Sequence, residues 1–248
     1  MVTKDARGTG LTFGRAVEAY ERSRPGYPAG ALDWVLPPGA RQVVDVGAGT
    51  GKLTRELVAR GLSVTAVEPD GAMRAELERR VPQATALAGT GESLPLPDGC
   101  ADAVLFAQSW HWVDPQAAGA EVARVLRPGG RLGLLWNLRD NRVPWVHDLE
   151  EIMMISGGSP GYGWDPGLAL PGGPLESREV AWTHRLAVDA LVDMVASRSY
   201  VIDKPDAERA AVLARVRELV ATHPDLAGQD AVDVPYLTHC YRMGGDAP

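Results

Sequence analysis

A chain of 248 residues with a hydrophobic share of 45% and a charged share of 23% has the composition of a folded protein long enough to bury a large core. Its formal net charge of -7 opposes a phosphate backbone, so nucleic acid is not an expected partner. No apolar run spans a membrane, Met1–Gly10 lacks the apolar core of a secretion signal, Cys100 and Cys240 form no framework, and the histidines show no metal-ligand spacing, so the expectation is a cytoplasmic protein without a metal.

The chain opens with a helical pattern over Thr12–Ser23, where Phe13, Ala16, Val17 and Tyr20 share a face, followed by a Pro-Gly-Tyr-Pro turn at 25–28 and a short helix through Leu32, Val35 and Leu36. Strands and helices then alternate. Gln42–Val46 reads as a buried strand, Thr50–Arg60 as a helix closed by Gly61, and Ser63–Glu68 as a second strand. A helix capped by Asp70 runs to Arg80, and short strands follow at Ala84–Ala88 and Ala101–Ala107. Asp114-Pro115 starts a helix that stops at Arg127-Pro128-Gly129-Gly130, before a fifth strand over Arg131–Leu138. The rhythm breaks after residue 140, with a helix near Trp145–Ile155 and a Gly/Pro tract over Gly157–Pro174. A strand at Arg178–Leu186, helices at 188–199 and 205–222, and a last strand at Val232–Met243 complete the reading. Strands alternating with helices predict an α/β, Rossmann-like, doubly wound and mostly parallel sheet of about seven strands, with helical additions at both ends forming a lid. The domain expectation is a single domain over 1–248, with a helical cap at 1–40, a binding core at 41–139, an elaboration at 140–230 and a final strand at 231–248.

The strand-to-helix turn Val43-Val44-Asp45-Val46-Gly47-Ala48-Gly49-Thr50-Gly51 carries the most chemistry. Glycines let backbone approach a ligand, and the following helix aims free amides at the same point. Glu68 ends the next strand, where a carboxylate can accept from both ribose hydroxyls. A dinucleotide would suit the same geometry, but its fingerprint needs a third glycine where Lys52 stands. Asp45 would repel a diphosphate, whereas the cationic amino group of a methionine moiety would favour it.

Asp45-x-Gly47-x-Gly49-x-Gly51 resembles motif I of the class I S-adenosylmethionine-dependent methyltransferases. Glu68-Pro69-Asp70 with Met73 resembles that family's ribose-binding acid and the apolar residue beneath adenine, and Gly89–Asp98 its adenine-bordering loop. Arg124–Gly130 is similar to the family's turn into the fifth strand. Ala107–Asp114, Arg24–Pro28 and Pro235-Tyr-x-Thr238 are similar to the methyltransferase type 11 branch that includes trans-aconitate methyltransferase-like enzymes. The likeness implies S-adenosylmethionine as cofactor. It implies a cofactor set of Tyr20, Arg24, Asp45, Gly47, Ala48, Gly49, Thr50, Leu53, Glu68, Pro69, Met73, Gly91, Glu92 and Gln108. Thr90 stands where related sequences often carry an aspartate for the adenine amino group, so backbone around Gly91-Glu92, or Glu92 itself, takes that place. Arg24, in the rigid turn bounded by Pro25 and Pro28, either receives the methionine carboxylate or is a surface arginine.

Acceptor sites in such sheets lie beyond the strand carboxyl ends. Trp110, His111, Trp112, Trp136 and Asn137 follow strands four and five and form the expected acceptor set. Trp110 and Trp112 either wall an apolar pocket or pack the core. His111 is either the base or a hydrogen-bonded structural residue. The expected reaction is in-line methyl transfer to a small-molecule acceptor, with hydroxyl or carboxyl oxygen favoured, by a monomer or homodimer. Two other classes compete: a nicotinamide-dependent dehydrogenase, which lacks its third glycine here, and a methyltransferase-like protein that catalyses another reaction or only binds a partner.

Overall fold

Three β-branched residues, Val43, Val44 and Val46, make β1 (Gln42–Val46) a strand buried on both faces. The computed structural model describes residues 25–154, 174–196 and 198–244. The expected helix at Thr12–Ser23 and nearly all of the Gly/Pro tract lie outside them. After α1 (Ala29–Val35) and β1 come α2 (Lys52–Ala59), β2 (Ser63–Val67), α3 (Gly71–Arg80), β3 (Thr85–Leu87), β4 (Ala101–Ala107), α4 (Pro115–Val125) and β5 (Leu126–Arg139). The order continues with α5 (Pro144–Met154), β6 (Glu176–Ala187), α6 (Val188–Ala196), α7 (Ser199–Ile202), α8 (Asp206–Thr222) and β7 (Ala231–Gly244).

The seven strands form one sheet in the order β3-β2-β1-β4-β5-β7-β6. The pairings β2·β3, β1·β2, β1·β4 and β4·β5 are parallel, with Val46 opposite Val67 on one side and Phe106 on the other. The order reverses between β1 and β4, and both strands end level at that point. A crevice at such a reversal is where open α/β sheets bind ligands.

Side chains alternate across the sheet into two cores. Val44, Val46, Val104, Phe106 and Leu134 face Ala118, Val122 and Val125 of α4. Val43, Val64, Leu105 and Leu135 face Leu32 and Val35 of α1 and Leu53 and Leu57 of α2. A Cβ at Gly133 would lie 2.5 Å from Leu105, so glycine lets α1 and the β4·β5 pair close up. Asp70 and Asp114 each accept two amides as helix caps, as expected for α3 and α4, contributing about 1 kcal/mol each.

Several boundaries differ from expectation. The sheet enters β5 directly at Leu126, because an irregularity in the β4·β5 pairing between Ala101 and Ala103 absorbs the Arg127–Gly130 turn. The expected 188–199 helix closes earlier, at Ala196, and α7 is a separate short helix.

The fold comprises two compact units. Among the described residues, one holds 26–138, 174–182 and 237–244, and with them β1 to β4, the caps and both cores. The other holds residue 25, 139–154 and most of 183–236, including α5, α6, α7 and α8. In it, Arg139 donates to Glu150 of α5 at 2.6 Å, a nearly buried ion pair, and the Tyr236 hydroxyl lies 3.7 Å from the Met194 sulfur. No described helix is long and apolar enough to cross a membrane.

Candidate cofactor and acceptor site

The loop after β1 turns through three left-handed glycines, Gly47 (φ 68), Gly49 (φ 57) and Gly51 (φ 87). The amides of Gly47 and Ala48 donate to the Val67 carbonyl at 2.8 and 3.3 Å, which ties the loop to the end of β2. A Cβ on Gly47 would lie 2.5 Å from the Ser109 Cβ, so the position excludes every side chain. A Cβ on Gly49 would meet nothing within 4 Å. The loop therefore presents bare backbone to open space at the amino end of α2, the arrangement a nucleoside or amino-acid ligand needs. Thr50 and Leu53 behind it are buried, Leu53 in the core.

Two carboxylates flank this loop. Asp45 is 1% exposed, and one of its oxygens accepts from the Thr54 hydroxyl at 2.6 Å. Burial raises its pKa to about 7, against the opposing hydrogen bonds from Thr54; the nearby Glu68 charge raises it further. Glu68 is also buried, and its two oxygens accept from the amides of Gly49 at 2.8 Å and Asp70 at 2.9 Å. Each oxygen keeps a second lone pair for a hydroxyl donor. Among the described residues no ion pair joins either acid to a lysine or arginine. Net negative charge beside an open loop suits a cationic ligand. Pro69 is exposed and Met73 is 42% exposed in the first turn of α3, an accessible apolar surface next to Glu68.

On the far side of the loop, Gly91 is buried and a Cβ there would lie 2.8 Å from Val113. The Glu92 carboxylate accepts from the Asp114 amide at 2.9 Å, which holds the 89–92 loop to the start of α4. Glu92 thus braces the loop, and although burial alone would raise its pKa, hydrogen bonds from Asp114, its own amide and Thr90 together outweigh burial and lower it.

At the end of β4, Gln108 adopts φ 59, the sole non-glycine residue with positive φ among the described residues. Such strain in a β4 terminus beside the loop marks a position that its surroundings hold firmly. Ser109 then donates to the Val46 carbonyl at 2.6 Å and fixes the ends of β1 and β4 together. The chain continues as a 3-10 turn over Trp110–Trp112. Trp110 is fully buried, edge-to-face with Phe106 at 4.7 Å, and belongs to the core. Trp112 points outward, 80% exposed, with the exposed His111 ring 4.8 Å away. Partial desolvation lowers the His111 pKa below 6.5. Trp136 is buried against Tyr241 at 5.9 Å and is likewise core.

Asn137 is a junction. Its side-chain amide donates to the Gly26 carbonyl at 2.8 Å, its side-chain oxygen accepts from Thr238 at 2.7 Å, and its backbone carbonyl accepts from Gln108 at 3.0 Å. Of the expected site residues, the structure brings Asp45, the glycine loop, Glu68 and Gln108 to one end of the sheet. It moves Trp110 and Trp136 into the core and gives Asn137 a bracing role, because each is already packed or hydrogen-bonded within the protein. Tyr20 and Arg24 lie outside the described residues. Thr54, Ser109 and Thr238, to which the sequence assigned no site role, are the buried hydroxyls that hold Asp45, β1 and Asn137. Pro235-Tyr-x-Thr238 carried a signal for the last of these; lone hydroxyls at 54 and 109 carry none until the strands are paired. Among the described residues no group of His, Cys, Asp or Glu could hold a metal ion.

The family model for a methyltransferase domain matches residues 44–134, which run from β1 through most of β5. An uncharacterized methyltransferase of Mycobacterium tuberculosis is 52% identical over 97% of this chain and 98% of its own length. The chain belongs to the S-adenosylmethionine-dependent methyltransferases of class I. An uncharacterized methyltransferase-like protein of Schizosaccharomyces pombe is 32% identical to this methyltransferase over 93% of the chain and 94% of its own. A solved structure of a protein from Anaeromyxobacter dehalogenans, assigned as a type II methyltransferase, aligns with a TM-score of 0.66 at 23% identity. It covers 90% of this methyltransferase and 97% of that chain, and shares the fold. S-adenosylmethionine fits the site on its own geometry: bare backbone at Gly49, two acids that pair with no lysine or arginine among the described residues, and an apolar surface at Met73.

Proposed function

We propose that this methyltransferase methylates a small-molecule acceptor at a hydroxyl or carboxyl oxygen, by in-line displacement. The observation that supports this most is the outward-facing Trp112, 80% exposed beside His111 at the carboxyl end of β4. An aromatic face there can stack on an organic acceptor, and a neutral imidazole beside it can take a hydroxyl proton. The net charge of -7 and the similarity of Ala107–Asp114 and Pro235–Thr238 to the trans-aconitate methyltransferase-like branch both favour a small acceptor over nucleic acid.

When bound, the cofactor supplies a methyl group activated by positively charged sulfur. Asp45 is assigned to its amino group, Glu68 to the ribose hydroxyls, and Met73 with Gly91-Glu92 to the adenine. Arg24, with Tyr20 near it in sequence, is assigned to the methionine carboxylate. The chain's part in the displacement is to align an acceptor oxygen and exclude water. An acceptor screen with S-adenosylmethionine, read by mass spectrometry for a gain of one CH2 on an organic acid or alcohol, tests the proposal. Methylation of protein or nucleic acid with no small acceptor modified would refute it.

A further inference from the structure

Four groups from three strands and the segment before α1 form a hydrogen-bond chain of fixed direction. The Trp182 indole of β6 donates to the Thr238 hydroxyl of β7 at 2.8 Å. Thr238, fully buried, donates to the Asn137 side-chain oxygen at 2.7 Å, and the Asn137 amide donates to the Gly26 carbonyl at 2.8 Å. An indole N–H can only donate and a backbone carbonyl can only accept, so both ends of the chain are set and Asn137 has one orientation. Anchored on the fully buried Thr238 and satisfied along its length, such a chain is stiff.

What it holds is Gly26 and, next to it, Tyr27. Gly26 lies beside the Glu56 side chain of α2, whose carboxylate tip would come 2.9 Å from a Cβ there. Tyr27 packs on the core that contains Leu53 and Leu57 of the same helix. That helix starts at the glycine loop and carries Thr54, whose hydroxyl holds Asp45 at 2.6 Å. We propose that Thr238 and Asn137 are positioning residues for the cofactor: they press Gly26 and Tyr27 onto α2 and so keep the glycine loop and Asp45 in place. The opposite side of the same junction, the Gln108 side chain on the Asn137 carbonyl, sets the left-handed end of β4 from the same point.

Binding of S-adenosylhomocysteine by calorimetry and amide exchange of the 26–32 peptide, both in the full chain, test this. Thr238→Val keeps the shape and removes both hydrogen bonds; Asn137→Asp keeps the acceptor for Thr238 and sets a carboxylate oxygen against the Gly26 carbonyl in place of the donor. Both should bind about tenfold more weakly, the scale of a lost buried hydrogen bond, with faster exchange at 26–32 and unchanged exchange in β4. Thr238→Ser should restore both readouts. A folded Thr238→Val or Asn137→Asp protein with wild-type affinity overturns the proposal, as does a Thr238→Ser protein as weak as Thr238→Val. If Thr238→Val does not fold, Asn137→Asp decides alone, since its backbone and volume are unchanged.

Discussion

The carboxylate of Glu68, at the end of β2, accepts a 2.8 Å hydrogen bond from the amide of Gly49 in the loop after β1. Its other oxygen takes the Asp70 amide at 2.9 Å, so one buried acid joins the glycine loop to the start of α3. The residue assigned to the ribose is therefore also the brace of the loop that faces it. Glu68→Ala should weaken S-adenosylhomocysteine binding by about 1.5–3 kcal/mol, the range for hydrogen bonds to a charged group. Calorimetry reads the change; an unaltered dissociation constant removes Glu68 from the cofactor site.

Asp45 gives the site a pH dependence. Its pKa stands at about 7 in the fold, chiefly through burial, against an ordinary value of 3.8. Between those values the native state holds a proton that the unfolded state has lost, so stability without cofactor falls as pH rises from about 4 to 7. Above pH 7 this contribution is constant. Asp45→Asn should remove that slope and stabilise the cofactor-free protein at pH 8 by on the order of 4 kcal/mol, while weakening cofactor binding. Urea unfolding of both proteins at pH 5 and pH 8 checks it, and equal slopes with pH would contradict the burial argument.

Gly47 is irreplaceable for a steric reason. Its φ of 68 disfavours any side chain, and a Cβ would come within 2.5 Å of the Ser109 Cβ. Ser109 cannot retreat without losing its 2.6 Å bond to the Val46 carbonyl. Gly47→Ala should cost about 1–3 kcal/mol from backbone strain alone, with more from the overlap. The double variant Gly47→Ala with Ser109→Gly should recover part of the loss. No recovery in thermal unfolding would place the strain elsewhere.

The parallel sheet was legible because its signals are local. Val43, Val44 and Val46 mark a buried strand, Asp70 and Asp114 announce their helices, and the glycine spacing with Asp45 separates this loop from a dinucleotide loop. The acceptor side was less legible because burial is a tertiary property. Trp110 and Trp112 are two residues apart and look alike in sequence, yet a 3-10 turn sends one into the core and the other into solvent. Trp136 alternates inward along β5, while Asn137 is claimed by partners 111 and 101 residues away. Contacts at that separation leave no periodic trace.

His111 separates the two kinds of oxygen acceptor. It is exposed, stands beside Trp112, and has a pKa lowered from 6.5 by partial desolvation, so the ring is neutral at pH 7 and able to take a proton. A hydroxyl must lose its proton as the methyl group arrives, whereas a carboxylate has none to lose. With a hydroxyl acceptor, His111→Asn should lower kcat about 10²–10⁴-fold, the usual range for a general base, and leave S-adenosylhomocysteine affinity unchanged. The wild-type rate should rise with pH as the ring deprotonates, with its midpoint below that of an ordinary imidazole, and then level off. Single-turnover rates for both proteins across pH 5–8 measure this with whichever acceptor the screen identifies. An unchanged kcat on a hydroxyl acceptor would remove His111 from the chemistry and leave it as the support on which Trp112 leans.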